Sequence, residues 1–150
     1  MAGVLAIDSD HDIVAQYGRA FRRCLVFDSF RQDYPNHTLF EQNTKASVDG
    51  IISTRNIDLI TGSGHGDHTM FCGTNGEPVL SVIDDLSILN GKIVHLLSCS
   101  TALVLGREAV KSGACAFWGY LDEFSFLYTD PPPLSLKDDA IAEAFITMDI

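Results

Sequence analysis

The sequence predicts an α/β fold, a three-layer α/β/α sandwich around a mostly parallel sheet. Short apolar runs of strand length recur along the chain: Val4–Ile7, Cys24–Phe27, Ile57–Thr61, Ile93–Leu97 and Ala114–Gly119. Segments with apolar residues at helical spacing separate most of them. Strands that alternate with helices assemble parallel sheets through right-handed crossovers. A length of 150 residues with 46% hydrophobic and 20% charged residues suits one globular domain spanning 1–150.

The elements follow in order. Val4-Leu5-Ala6-Ile7 is a buried strand that ends in Asp8, Ser9 and Asp10, a helix-capping cluster. From Asp12, Ile13, Val14, Tyr17 and Phe21 repeat at helical spacing, with Arg19, Arg22 and Arg23 late, where the helix dipole favours cations. Cys24–Phe27 forms a second strand, and the polar stretch 28–42, with Pro35, reads as loop. Asn43 or Thr44 caps a second helix carrying Ala46, Val48, Ile51 and Ile52. Ile57–Thr61 is a third strand running into Gly62-Ser63-Gly64-His65-Gly66-Asp67-His68. A hairpin follows, with Thr69–Cys72 and Val79–Val82 joined by a turn at Thr74-Asn75-Gly76. Asp84–Leu89 is a helical turn closed by Asn90-Gly91, and Ile93–Leu97 is the clearest strand. Ser98-Cys99-Ser100-Thr101 ends it and opens a helix through about Lys111, closed by Gly113. Ala114–Gly119 is a last strand. Pro131-Pro132-Pro133 is a stiff connector before a helix, capped at Ser135, with Ile141, Ala144, Phe145 and Met148 on one face.

Charge and cysteine content narrow the partners. Ten Lys and Arg against twenty Asp and Glu give a formal net charge of −10. Nucleic acid and anionic membrane surfaces are thereby disfavoured, because a phosphate footprint needs clustered cations. No apolar run reaches membrane-spanning length, and the first residues lack the basic start of a secretory signal. Cys24, Cys72, Cys99 and Cys115 form no C-x-x-C pair, which points to free thiols in a reducing, cytoplasmic setting. Cys24, Cys72 and Cys115 lie in or beside apolar runs and read as small core residues.

In parallel sheets functional groups gather at the carboxyl ends of strands. His65 follows the third strand between Gly64 and Gly66, an uncrowded ring on a freely folding backbone. Cys99 ends the fourth strand where the expected helix begins, and a helix N-terminus favours thiolate over thiol. An imidazole beside a thiol can take its proton and later protonate a leaving amine. Gly66 leaves an accessible N–H for an oxyanion. The two side chains share one gap if their strands are neighbours in the sheet.

Leu59–Asp67 resembles the strand–His–Gly segment of the caspase-like (clan CD) cysteine peptidases, and Val94–Thr101 resembles their strand–Cys segment. Ala109–Tyr120 is similar to the helix, Gly-Ala, apolar strand, Gly run of the CHAT, gingipain, clostripain and separase branch; Asp84-Asp85-Leu86 fits the same branch. This resemblance implies a caspase-like fold and a dyad hydrolase of peptide bonds that needs no metal or organic cofactor. Cys99 would be the nucleophile, His65 the proton-transfer partner, and the N–H groups of Gly66 and Cys99 the oxyanion hole. The branch often cuts after Arg or Lys, using an acidic first subsite. Asp8 and Asp10, at the first strand end, and Asp122 and Glu123, past the fifth, are the acidic candidates. The chain past residue 120 is short for such a unit, which reads as a minimal domain, an excerpt, or a form that needs a regulatory partner or a second copy to complete the substrate groove.

Other readings compete. His65-x-x-His68 with Cys72, and His95 or Cys99 as a fourth ligand, outlines a zinc site, but without finger or ribbon spacing. Gly62–Gly66 lacks the Lys-Ser/Thr ending of a phosphate loop. A cysteine phosphatase needs Arg where Leu105 stands. The main alternative is a catalytically idle caspase-like module that binds a protein partner. His95 reads as a buried supporting histidine, His68 as a residue at the site mouth, and Trp118 as strand core.

Overall fold

The computed structural model describes residues 3–9, 11–22, 38–40 and 42–124. Strand β1 (Val4–Asp8) leads into helix α1 (Ile13–Phe21), then β2 (Thr38–Phe40) and α2 (Lys45–Thr54). Next come β3 (Leu59–Ser63) and a ribbon of β4 (Met70–Cys72) and β5 (Pro78–Ser81). A 3-10 turn at Leu86–Leu89, β6 (Ile93–Leu97), α3 (Leu105–Lys111) and β7 (Ala116–Trp118) complete the order. The sheet runs β2-β1-β3-β6-β7 with every neighbouring pair parallel, and β4–β5 is a separate antiparallel ribbon. The fold is therefore α/β around a parallel sheet.

Strand periodicity separates the two faces of the sheet. Leu5, Ile7, Ile60, Val94 and Leu96 point to the main core, where they join Val48 and Ile52 of α2, Leu105 and Ala109 of α3, and Phe71, Val79 and Leu80 of the ribbon. The alternate positions Asp8, Thr61 and Ser63 meet α1. Gly18 of α1 packs so closely on Ser63 that a Cβ there would lie 2.2 Å from Ser63 Oγ. Arg22, just past α1, is buried with its Nε donating to Asp8 Oδ1 at 2.6 Å and a guanidinium N–H donating to Thr61 Oγ1 at 2.9 Å. Helices thus cover both faces. β1 leads leftward to β2 while β3 leads rightward to β6, so connections diverge between β1 and β3. Ligands of open α/β sheets bind at the carboxyl side of such a divergence.

Several expectations change. The helix cap falls on Asp12 rather than on residues 8–10: Asp12 Oδ1 accepts from Ala15 N–H at 2.8 Å. A strand occupies 38–40, inside the stretch read as loop; a three-residue edge strand is too short to show alternation, and β1 supplies its pairing. β3 begins two residues later than expected and takes in Gly62 and Ser63. Gly62 belongs there because a Cβ would meet the Phe71 ring at 2.7 Å and Ile7 O at 2.9 Å. α2 starts as expected with Thr44 capping Ser47 N–H, while Asn43 Nδ2 instead donates to Asp8 O at 2.7 Å.

The largest correction concerns Cys99. No helix begins there; α3 starts six residues later, at Leu105. The N–H groups that would seed an earlier helix are spent elsewhere: Ser100 on Asp122 O, Ala102 on Tyr120 O and Leu105 on His68 O. Ser100 is also left-handed, φ 54°, a conformation that interrupts a right-handed helix. Trp118 is no core residue, being 74% exposed, and Cys115 is exposed too. Both sit at the sheet's outer edge, where β7 has one neighbour. The expected strand at Cys24–Phe27 and the expected helix after Pro131-Pro132-Pro133 lie outside the described residues. Among the described residues no helix is long and apolar enough to cross a membrane.

Candidate active site

β3 and β6 are adjacent and parallel, with Ser63 paired to Leu97. His65 and Cys99 each lie two residues beyond that pair, so the register delivers both to the same edge. They line one cleft of about 90 Å³ with Val14, Ala15 and Gly18 of α1, Ser98 and Phe124.

Asp12 completes the arrangement. Its Oδ2 lies 2.5 Å from His65 Nε2. Burial pulls the Asp12 carboxyl upward, but the Ala15 N–H and the His65 ring outweigh it, and the group is held below its ordinary value of 3.8. The ionised carboxylate only accepts, so Nε2 carries the proton and Nδ1 of a neutral ring is left as the acceptor. One carboxylate therefore caps α1 with Oδ1 and orients His65 with Oδ2.

Cys99 is half-buried, with Phe124 N–H donating to its Sγ at 3.3 Å and Phe124 O 3.8 Å away. Among the described residues Cys99 and His65 share no hydrogen bond. The segment after β7 is fastened over the 98–102 turn by the Ser100–Asp122 and Ala102–Tyr120 main-chain bonds, and the Tyr120 and Phe124 rings stack at 4.7 Å. The N–H groups of Gly66 and Cys99 donate to no acceptor among the described residues. Gly66 is squeezed: a Cβ would sit 2.4 Å from Ser98 Oγ and 2.6 Å from Met70 O.

The acidic candidates separate. Asp8 is 2% exposed and held by Arg22, so its charge is spent inside the fold rather than offered to a substrate. Asp10 lies outside the described residues. Asp122 and Glu123 are exposed and immediately precede Phe124, close to the sulfur. His95 Nδ1 meets Thr61 Oγ1 at 3.2 Å and its ring stands edge-on to Trp118, a supporting position below the site. His68 is exposed and does not line the cleft. Burial pushes the Cys72 thiol up. The zinc set of His65, His68 and Cys72 does not assemble; among the described residues His65 gathers instead with His11 and Asp12.

Asp12 and Phe124 escaped the sequence reading. Asp12 shows only as a helix-start residue, and its approach to His65 depends on β1 lying beside β3, which sequence spacing does not encode. Phe124 carries no motif. No protein-family model matches the chain, and no curated protein matches it; the functional reading rests on the residues themselves.

Proposed function

We propose that this chain is a cysteine endopeptidase with a three-layer, caspase-like sandwich, using Cys99 as nucleophile and His65 as proton carrier. The observation that carries the reading is that Cys99 and His65 line one cleft at adjacent parallel strand ends, with Asp12 holding the imidazole by Nε2. His65 Nδ1 takes the Cys99 proton, and Sγ bonds to the substrate carbonyl carbon. The oxyanion is held by the unengaged N–H groups of Gly66 and Cys99. The C–N bond breaks as Nδ1 returns the proton to the leaving amine. Water then gives Nδ1 a proton and attacks the acyl group, the carboxylic acid leaves, and the thiol is restored. The Phe124 N–H, rather than a helix dipole, supports the negative sulfur.

Asp122 and Glu123 beside the cleft suit a basic residue before the scissile bond, in keeping with the acidic character of the chain. Peptide or protein is the substrate class, and nucleic acid and membrane are not. The three described cysteines are free thiols, which suits a cytoplasmic setting. An idle module that binds a protein partner is the second reading, and the closeness of Phe124 to the sulfur favours it.

A library of peptides with varied residues before the cut, incubated with wild type and Cys99→Ala, tests the proposal. Cleavage after Arg or Lys that disappears in Cys99→Ala, with the circular dichroism spectrum unchanged, is the expected result. Cleavage that survives in Cys99→Ala overturns the peptidase reading, and a wild type that cuts nothing favours the binding module.

A further inference from the structure

We propose that His11, Asp12 and His65 form a three-ligand site for a Zn²⁺-class divalent cation, and that filling it withdraws His65 from proton transfer. One ring nitrogen from each histidine and one Asp12 oxygen all lie within 4.8 Å of one another. His11 Nε2 stands 3.7 Å from Asp12 Oδ2, and the two imidazole rings are 5.2 Å apart at 58°. Two imidazoles and one carboxylate are ligands that Zn²⁺ and its neighbours accept, with solvent in the fourth position.

The geometry is close to what the ion requires. Zinc bonds of about 2.0–2.2 Å in a tetrahedron set their ligand atoms roughly 3.3 Å apart. The His11–Asp12 separation of 3.7 Å is near that, the 2.5 Å Asp12–His65 contact must open, and the two histidines already lie within 4.8 Å. The Asp12 and His65 side chains are 41% and 46% exposed, so the movement meets little packing. Asp12 Oδ1 stays on the Ala15 N–H, which fixes Oδ2 toward the metal and acts as the outer support that metal ligands need. The carboxylate is already ionised, and ligation through Nε2 asks the His65 ring to carry its proton on Nδ1 instead.

The inhibitory consequence rests on the peptidase reading; the binding site does not. With Nε2 on a cation and the ring proton on Nδ1, the imidazole has no lone pair left to take the Cys99 proton, and the Asp12 charge is shared with the metal. His11 does not line the Cys99 cleft, so it distinguishes the cation site from the catalytic pair.

The test is a Co²⁺ titration of the full, metal-free chain, followed by visible absorption, with wild type and His11→Ala compared. The expected result is one ion per chain with a ligand-field band and no sulfur-to-cobalt charge transfer. In His11→Ala affinity should fall at least ~10-fold, and the Zn²⁺ concentration that half-blocks Cys99 alkylation should rise by the same factor. Metal-free His11→Ala should cut peptide as wild type does. A sulfur charge-transfer band, unchanged affinity in His11→Ala, or no bound Co²⁺ overturns the site. If metal-free wild type cuts no peptide, the peptidase reading fails and the cobalt spectra still decide the cation site.

Discussion

Asp12 holds His65 by ring nitrogen Nε2, and it does so with the oxygen not used to cap α1. A helix cap and the partner that orients His65 are thereby one carboxylate. This joins the docking of α1, through Gly18 on Ser63, to the placing of the imidazole at the end of β3.

Asp12→Asn separates the two duties. Asparagine caps as well as aspartate, so thermal stability should stay near wild type. The charge that fixes the tautomer is lost, and kcat/KM should fall on the order of 10²-fold, within the range of general acid–base contributions. Asp12→Ala should lose the same activity and in addition about 1 kcal/mol of stability with the cap. Urea melts and peptide hydrolysis measure both.

The same carboxylate predicts a pH dependence. Its pKa is lowered on folding, so its stabilising contribution is present above the ordinary value of 3.8 and disappears as pH falls through the lower folded value. Wild type should lose stability through this acid range more steeply than Asp12→Asn. Melting curves taken between neutral and strongly acid pH show it; parallel curves for the two proteins would contradict it.

Asp8→Ala should act on folding, not on specificity. It removes the buried carboxylate that Arg22 Nε donates to, and removing one partner of a buried pair costs about 3–5 kcal/mol. Equilibrium denaturation reads that loss. A folded Asp8→Ala protein whose preference for basic residues had vanished would instead return Asp8 to the substrate pocket.

Gly66→Ala tests the oxyanion position. The added methyl has Ser98 Oγ at 2.4 Å and Met70 O at 2.6 Å, so the Gly66 peptide must shift. Activity should fall at least ~10²-fold, as for loss of an oxyanion donor, while the Asp12–His65 signal in the downfield proton NMR spectrum persists.

Much of this was legible in the sequence, and the failures have physical causes. Ile93–Leu97 is recognisable because it is a continuous apolar run between clear turn signals, and the Asn75-Gly76 turn because both residues tolerate positive φ. Positions of His65 and Cys99 past strands β3 and β6 follow from glycine and small polar residues after apolar runs. Thr38–Phe40 was hidden because three residues carry no period. The helix expected from Cys99 failed because Ser100, Ala102 and Leu105 give their N–H groups to distant carbonyls, a tertiary choice that local propensity does not register. Asp8 looked like a site acid at a strand end until Arg22, fourteen residues on, proved to be its buried partner.

The most direct measurement is mapping by mass spectrometry of a peptidyl acyloxymethyl ketone with Arg at its reactive end, used in a Cys115→Ser background because Cys115 is exposed. The probe should modify Cys99 well ahead of Cys72 and Cys24, and His65→Ala should slow the reaction by about 10²-fold or more. Equal labelling of the remaining thiols, or a Cys99 rate indifferent to His65, would contradict it.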